Sequence, residues 1–113
     1  MWARTWVILV VVALVVAACG GGSTRGPQRL RVEAMTLAFT PRELEVAVGS
    51  TVTINNRDAV AHTFTSGTRD APTGVFDEEV AGFGEAQVTF DTPGTYEFFC
   101  RFHANMRGVV EVR

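Results

Sequence analysis

Residues 91–108 read Asp91-Thr-Pro-Gly-Thr-Tyr96-Glu-Phe-Phe-Cys100-Arg-Phe-His103-Ala-Asn-Met106-Arg-Gly108, and the first ten of them decide the fold. Thr92-Pro93-Gly94 is turn chemistry, because proline presets one backbone angle of a turn and glycine tolerates its left-handed position. Beyond it Tyr96, Phe98 and Cys100 alternate with Thr95, Glu97 and Phe99, the two-residue period of a strand. A tyrosine so soon after the turn suggests a corner in which the phenol hydroxyl bonds back to the backbone, a device of Greek-key sandwiches. By this parity Cys100 points inward at the strand's end.

The same period runs upstream. Leu44, Val46 and Val48 alternate with Glu43, Glu45 and Ala47, and Val52 and Ile54 alternate with Thr51, Thr53 and Asn55. His62 and Phe64 share an inward face, with Thr63 and Thr65 opposite. Gly49-Ser50, residues 55–58, Ser66-Gly67 and Gly82-Phe83-Gly84 punctuate the strands, and no stretch of a dozen residues has helical amphipathicity. Internal repeats are absent. The pattern predicts an all-β protein, a Greek-key β-sandwich of seven to eight short strands.

The N-terminus reads differently. Val7 to Ala18 is a solid apolar run behind a short head carrying Arg4, the layout of a secretory signal; it is shorter than the ~20 residues of a membrane span. Val16-Ala17-Ala18-Cys19 resembles the lipobox of bacterial lipoproteins, which implies a signal peptide over 1–18 and lipidation of Cys19. Cleavage after Ala18 by an ordinary signal peptidase is the rival reading. Residues 19–29, with their Gly-rich tether, form the linker, and 30–113 the folded domain. The expected location is extracytoplasmic, periplasmic or cell-surface, with the membrane reached through the lipid.

At 113 residues the chain has room for one domain. Removing 1–18 takes away one Arg and no acid, moving the formal charge from −2 to −3. No basic stripe marks a nucleic-acid binder. A monomer is expected. Of the two cysteines, Cys19 belongs to the processing motif, so Cys100 needs a chemical reason of its own.

That reason lies in its neighbours. Cys100, His103 and Met106 are each separated from the next by two residues, and a tight loop leaving a strand lets all three turn to one point; a strand of the facing sheet is expected to bring His62 there. Taken singly, each residue reads as ordinary core. Jointly they include both histidines of the chain, and two imidazoles and a thiolate with a weak axial thioether are the blue-copper donor set. Thioether and thiolate favour Cu(I) while imidazoles also suit Cu(II), so one type 1 copper ion could exchange single electrons there. Zinc is a rival, though thioether is a poor zinc ligand. A thiol nucleophile paired with His103 is another, with no evident oxyanion hole. Copper storage or delivery is the alternative function, usually accompanied by spare surface Met and His. The chain is not expected to be an enzyme.

Phe39-Thr-Pro41, residues 48–52, Asn55-Asn56, Ala61-His62-Thr63, residues 93–100 and 103–108 together resemble the cupredoxin family, close to its plastocyanin and amicyanin members, over nearly the whole domain from about Ala34. The Cys-x2-His-x2-Met spacing is similar to the short ligand loop of amicyanins. The resemblance implies an eight-stranded sandwich with copper at one end and electron shuttling between membrane-linked redox proteins. Two departures stand out: Ala104 replaces the proline that many relatives carry after the second histidine, and Ala61 replaces an asparagine whose side chain ties the ligand loops together. Arg101 and Arg107 bracket the loop, while Asp77, Glu78 and Glu79 are assigned to a separate connection. Electrons are therefore expected to pass the outward edge of His103 to an acidic partner surface.

Overall fold

The computed structural model describes residues 25–113; the segment 1–18 expected to be a signal peptide, Cys19 and the first part of the expected linker lie outside them. Nine strands follow in chain order: β1 (Arg29–Met35), β2 (Ala38–Thr40), β3 (Glu43–Val46), β4 (Ser50–Asn56), β5 (His62–Gly67), β6 (Pro72–Val80), β7 (Glu85–Phe90), β8 (Gly94–Phe99) and β9 (Arg107–Val112). No helix among the described residues is long and apolar enough to cross a membrane.

The strands form two sheets, ordered β2-β1-β4-β7 and β3-β9-β8-β5-β6. This is the all-β sandwich the alternation predicts, with nine strands rather than seven to eight. The excess arises where the chain changes sheets. β2 pairs with β1, and after Pro41-Arg42 β3 pairs with β9 in the other sheet, so one extended stretch yields two strands.

Alternate residues of both sheets face one core. Val32, Ala34, Phe39, Val52, Ile54, Phe64, Phe98 and Val110 are all buried in it, and Phe39 meets the rings of Phe64 and Phe98 edge-on at 6.0 and 5.0 Å. Val48, read as continuing the Leu44–Val46 alternation, is instead exposed, because β3 ends at Val46 and the chain turns into Gly49 at φ 86°. The tyrosine corner forms: Tyr96 donates its hydroxyl to the Thr92 carbonyl at 2.8 Å. Gly108 is required by close packing, since a Cβ there would collide with the Phe98 ring and the Arg42 carbonyl.

Candidate metal centre

Three adjacent strands of the larger sheet build the site. β8 runs antiparallel to both β5 and β9, so the end of β8 lies beside the beginnings of its neighbours. His62 opens β5, Cys100 follows β8, Met106 precedes β9, and His103 lies in the loop between the last two. His62 thus comes from the same sheet as the ligand loop, not from the facing one. The reason is distance: paired strands lie about 4.8 Å apart, whereas packed sheets are separated by about 10 Å.

The loop that presents His62 is held by Asn56. Its buried side chain donates to the carbonyls of Val60, Val80 and Ala81 and accepts the Asp58 N–H at 2.9 Å. Gly82 packs against this loop so closely that a Cβ would strike the Ala59 backbone.

Nδ1 of His62, Nδ1 of His103 and Sγ of Cys100 converge. The separations are 3.2 Å between the nitrogens, 3.5 Å from sulfur to His103 and 3.8 Å from sulfur to His62. The centre of such a triangle lies about 2.0 Å from each corner, which matches a metal–imidazole bond and is slightly short of the ~2.3 Å of a metal–thiolate bond. The donor set therefore fits a single metal ion. Met106 is buried at 1% exposure, and its carbonyl accepts the Cys100 N–H at 2.9 Å, closing the loop. Its side chain belongs to the core cluster that includes Cys100, and it lines the same cavity as Cys100 and His103.

Two further residues, Thr63 and Asp58, organise the donors. The Thr63 N–H donates to Cys100 Sγ at 3.3 Å, and Thr63 Oγ1 accepts the Arg101 N–H at 2.8 Å. Thr63 thereby supplies the tie between ligand loops whose loss at Ala61 the sequence implied; the residue after His62, not the one before it, makes the bond. The outer nitrogen of His62, Nε2, lies 2.7 Å from Asp58 Oδ2. That bond, with the Thr36 N–H, holds the Asp58 carboxyl below its usual range. Sequence reasoning passed over both residues. An acid four positions before a histidine is a signal in a helix, but it means nothing in a loop until the loop's path is known.

Cys100, His62 and Asp58 stand in the order of a nucleophile, a base and its orienting acid. Cys100 is fully buried, however, so no substrate atom reaches its sulfur. The basic rim also differs from expectation. Asp77, Glu78 and Glu79 lie on strand β6, not in a connection, and Asp77 Oδ1 pairs with Arg101 Nε at 3.1 Å. The Arg101 guanidinium also covers the Phe102 ring, 5.4 Å from its centroid. Loops at this end expose apolar side chains: Leu37 at 51%, Val60 at 51%, Phe83 at 74% and Phe102 at 47%.

Fold and site together define a small β-sandwich domain with a candidate metal centre at one end. Its sequence matches the family of the cupredoxin-like domain over residues 6–112, and the chain belongs to that family. It is 39% identical over 85 residues to a chloroplastic plastocyanin of Physcomitrium patens, covering 67% of this chain and 51% of the relative. It is 30% identical to a plastocyanin of Scenedesmus fuscus, covering 75% of this chain and 96% of that one. A solved Cu(I) amicyanin variant superimposes with a TM-score of 0.65 at 28% identity, over 75% of this chain and 82% of the other. The chain spans about half the length of the Physcomitrium relative.

Proposed function

We propose that the protein is a blue-copper electron carrier, not an enzyme. It holds one type 1 copper ion through His62, Cys100, His103 and Met106 and passes single electrons between redox partner proteins. The observation that carries this reading is the triangle of two imidazole nitrogens and one cysteine sulfur, close to the buried Met106. Copper, when bound, supplies the one-electron couple. The residues supply the rest: soft sulfur and borderline nitrogen donors serve both oxidation states, and the Thr63 bonds hold the two ligand loops at a fixed distance, which limits rearrangement during transfer.

His103 is only half-buried, so with Nδ1 turned inward its outer edge is the short path to a partner. The exposed Leu37, Val60, Phe83 and Phe102 suit docking against an apolar partner face. In the same reading, Cys19 carries the lipid that keeps the carrier at the outer face of a bacterial membrane. Copper titration of the metal-free protein tests the function. One equivalent should produce an intense blue thiolate charge-transfer band and a reversible one-electron wave. Tight copper binding without colour or reversible reduction would favour storage or delivery instead.

A further inference from the structure

The outer nitrogen of a metal-bound histidine needs a partner, and the nature of that partner tunes the metal. Here it is a carboxylate. Asp58 Oδ2 stands 2.7 Å from His62 Nε2, and the same carboxylate accepts the backbone N–H groups of Thr36 at 2.9 Å and Leu37 at 3.3 Å. The backbone of Asp58 is fixed as well, since its N–H is bound to Asn56 Oδ1 and its carbonyl accepts the Phe83 N–H at 3.0 Å. Four segments therefore converge on one residue: the β1–β2 turn and β5 on its carboxylate, the end of β4 and the β6–β7 turn on its backbone.

We infer that Asp58 is a positioning residue of the copper centre, which locks His62 in the tautomer that presents Nδ1 to the metal and lowers the reduction potential. This inference rests on the blue-copper reading. A carboxylate acceptor requires the proton on Nε2, which leaves the lone pair on Nδ1 free to coordinate. Because the acceptor is charged, the bond is stronger than one to a neutral carbonyl and raises the basicity of the ligand nitrogen. The oxidised centre carries one more positive charge than the reduced one, so a fixed negative charge behind a ligand stabilises it preferentially. Asp58 is 18% exposed, so water and salt screen that charge only in part. Held at Thr36 and Leu37, the carboxylate cannot swing out to solvent without releasing the turn.

The test compares the full-length wild-type chain with Asp58→Asn and Asp58→Ala, each loaded with copper. Asp58→Asn keeps an acceptor of the same shape and removes the charge. It should stay blue and lose about 10- to 100-fold in Cu(II) affinity, with a smaller loss for Cu(I). Each tenfold difference between those losses raises the potential by about 59 mV. Asp58→Ala should raise it too and release the imidazole ring. A role confined to bracing the turn would lower thermal stability in both variants and leave the potential at its wild-type value, and that result overturns the inference. If the variants fail to fold or load, nitrogen NMR of the wild-type reduced protein decides. A slowly exchanging His62 Nε2–H supports the inference, and a proton that exchanges freely with water overturns it. Wild-type protein that binds copper without turning blue would sink the parent reading instead. The same NMR measurement on the zinc-loaded chain then still judges the Asp58–His62 bond.

Discussion

The Thr63 hydroxyl accepts the backbone N–H of Arg101 at 2.8 Å across 38 residues of sequence, while the Thr63 N–H points at Cys100 Sγ. One fully buried side chain thus fastens the strand that begins with one ligand to the loop that carries the other three. Thr63→Ala should cost about 0.5–1.5 kcal/mol, because the Arg101 N–H loses its acceptor at a part-buried position. Thr63→Ser keeps the oxygen and should recover most of that. Denaturant unfolding of the metal-free variants measures both, and equal midpoints for the Ala and Ser variants would remove the tie from the account.

The two sulfur residues should respond differently to substitution. Cys100→Ser should abolish the blue colour, which arises from the copper–thiolate bond. Met106→Leu should keep the colour and raise the reduction potential, since loss of an axial donor costs Cu(II) more than Cu(I). Absorption spectra and voltammetry read these outcomes. A Met106→Leu variant with a lowered potential contradicts an axial role.

Asp77 sets a dependence of stability on acid. The Thr65 hydroxyl bond, helped by Arg101, holds its carboxyl below the usual range. A lowered native pKa contributes stability that is complete above the unfolded value of about 3.9 and disappears as pH falls through the native value. The side chain is half-exposed, so the contribution lies within about 0–1 kcal/mol. Wild type should exceed Asp77→Asn in unfolding midpoint near neutral pH, and the gap should close in strong acid. A gap that persists there would separate the effect from ionisation.

The same ion pair bears on docking. With Asp77 beside it, Arg101 offers a partner less net positive charge than its place on the ligand loop suggests. Asp77→Asn should therefore speed electron transfer with an acidic partner at low salt. One charge should give an effect at or below the low end of the roughly 10- to 1000-fold that protein fields supply, and it should fade as salt rises. Stopped-flow rates across ionic strengths test this, and an unchanged rate at low salt would mean that local charge does not steer the encounter.

Cys19→Ala should release the protein from the membrane, because a lipoprotein cysteine carries more than one acyl chain and a single chain anchors only marginally. Fractionation and mass spectrometry of the N-terminus check it. Wild-type protein found wholly in the soluble fraction with an unmodified Cys19 would end the anchor proposal.

Most strand positions and the candidate donors were legible in the local pattern of residues. Side-chain alternation is a local property of extended chain, so Tyr96, Phe98 and Cys100 could be assigned to one face, and the Tyr96 corner located, without knowing what packs against them. The Cys-x2-His-x2-Met spacing is equally local, which kept Cys100, His103 and Met106 within one short loop. The tertiary structure decided everything that depends on strand pairing. It put His62 on the neighbouring strand of the same sheet, divided residues 38–46 between two sheets, and left Val48 outside the core. It alone joined Thr63 to Arg101, Asp58 to Thr36 and His62, and Asp77 to Arg101. Most of these partners stand 22 to 38 residues apart. Even the Asp58–His62 bond, only four residues long, depends on a loop path set by Asn56 and the turn around Gly82. Such contacts form only once the register between distant strands is fixed, and a period of two says which face a residue takes, not which residue it will meet.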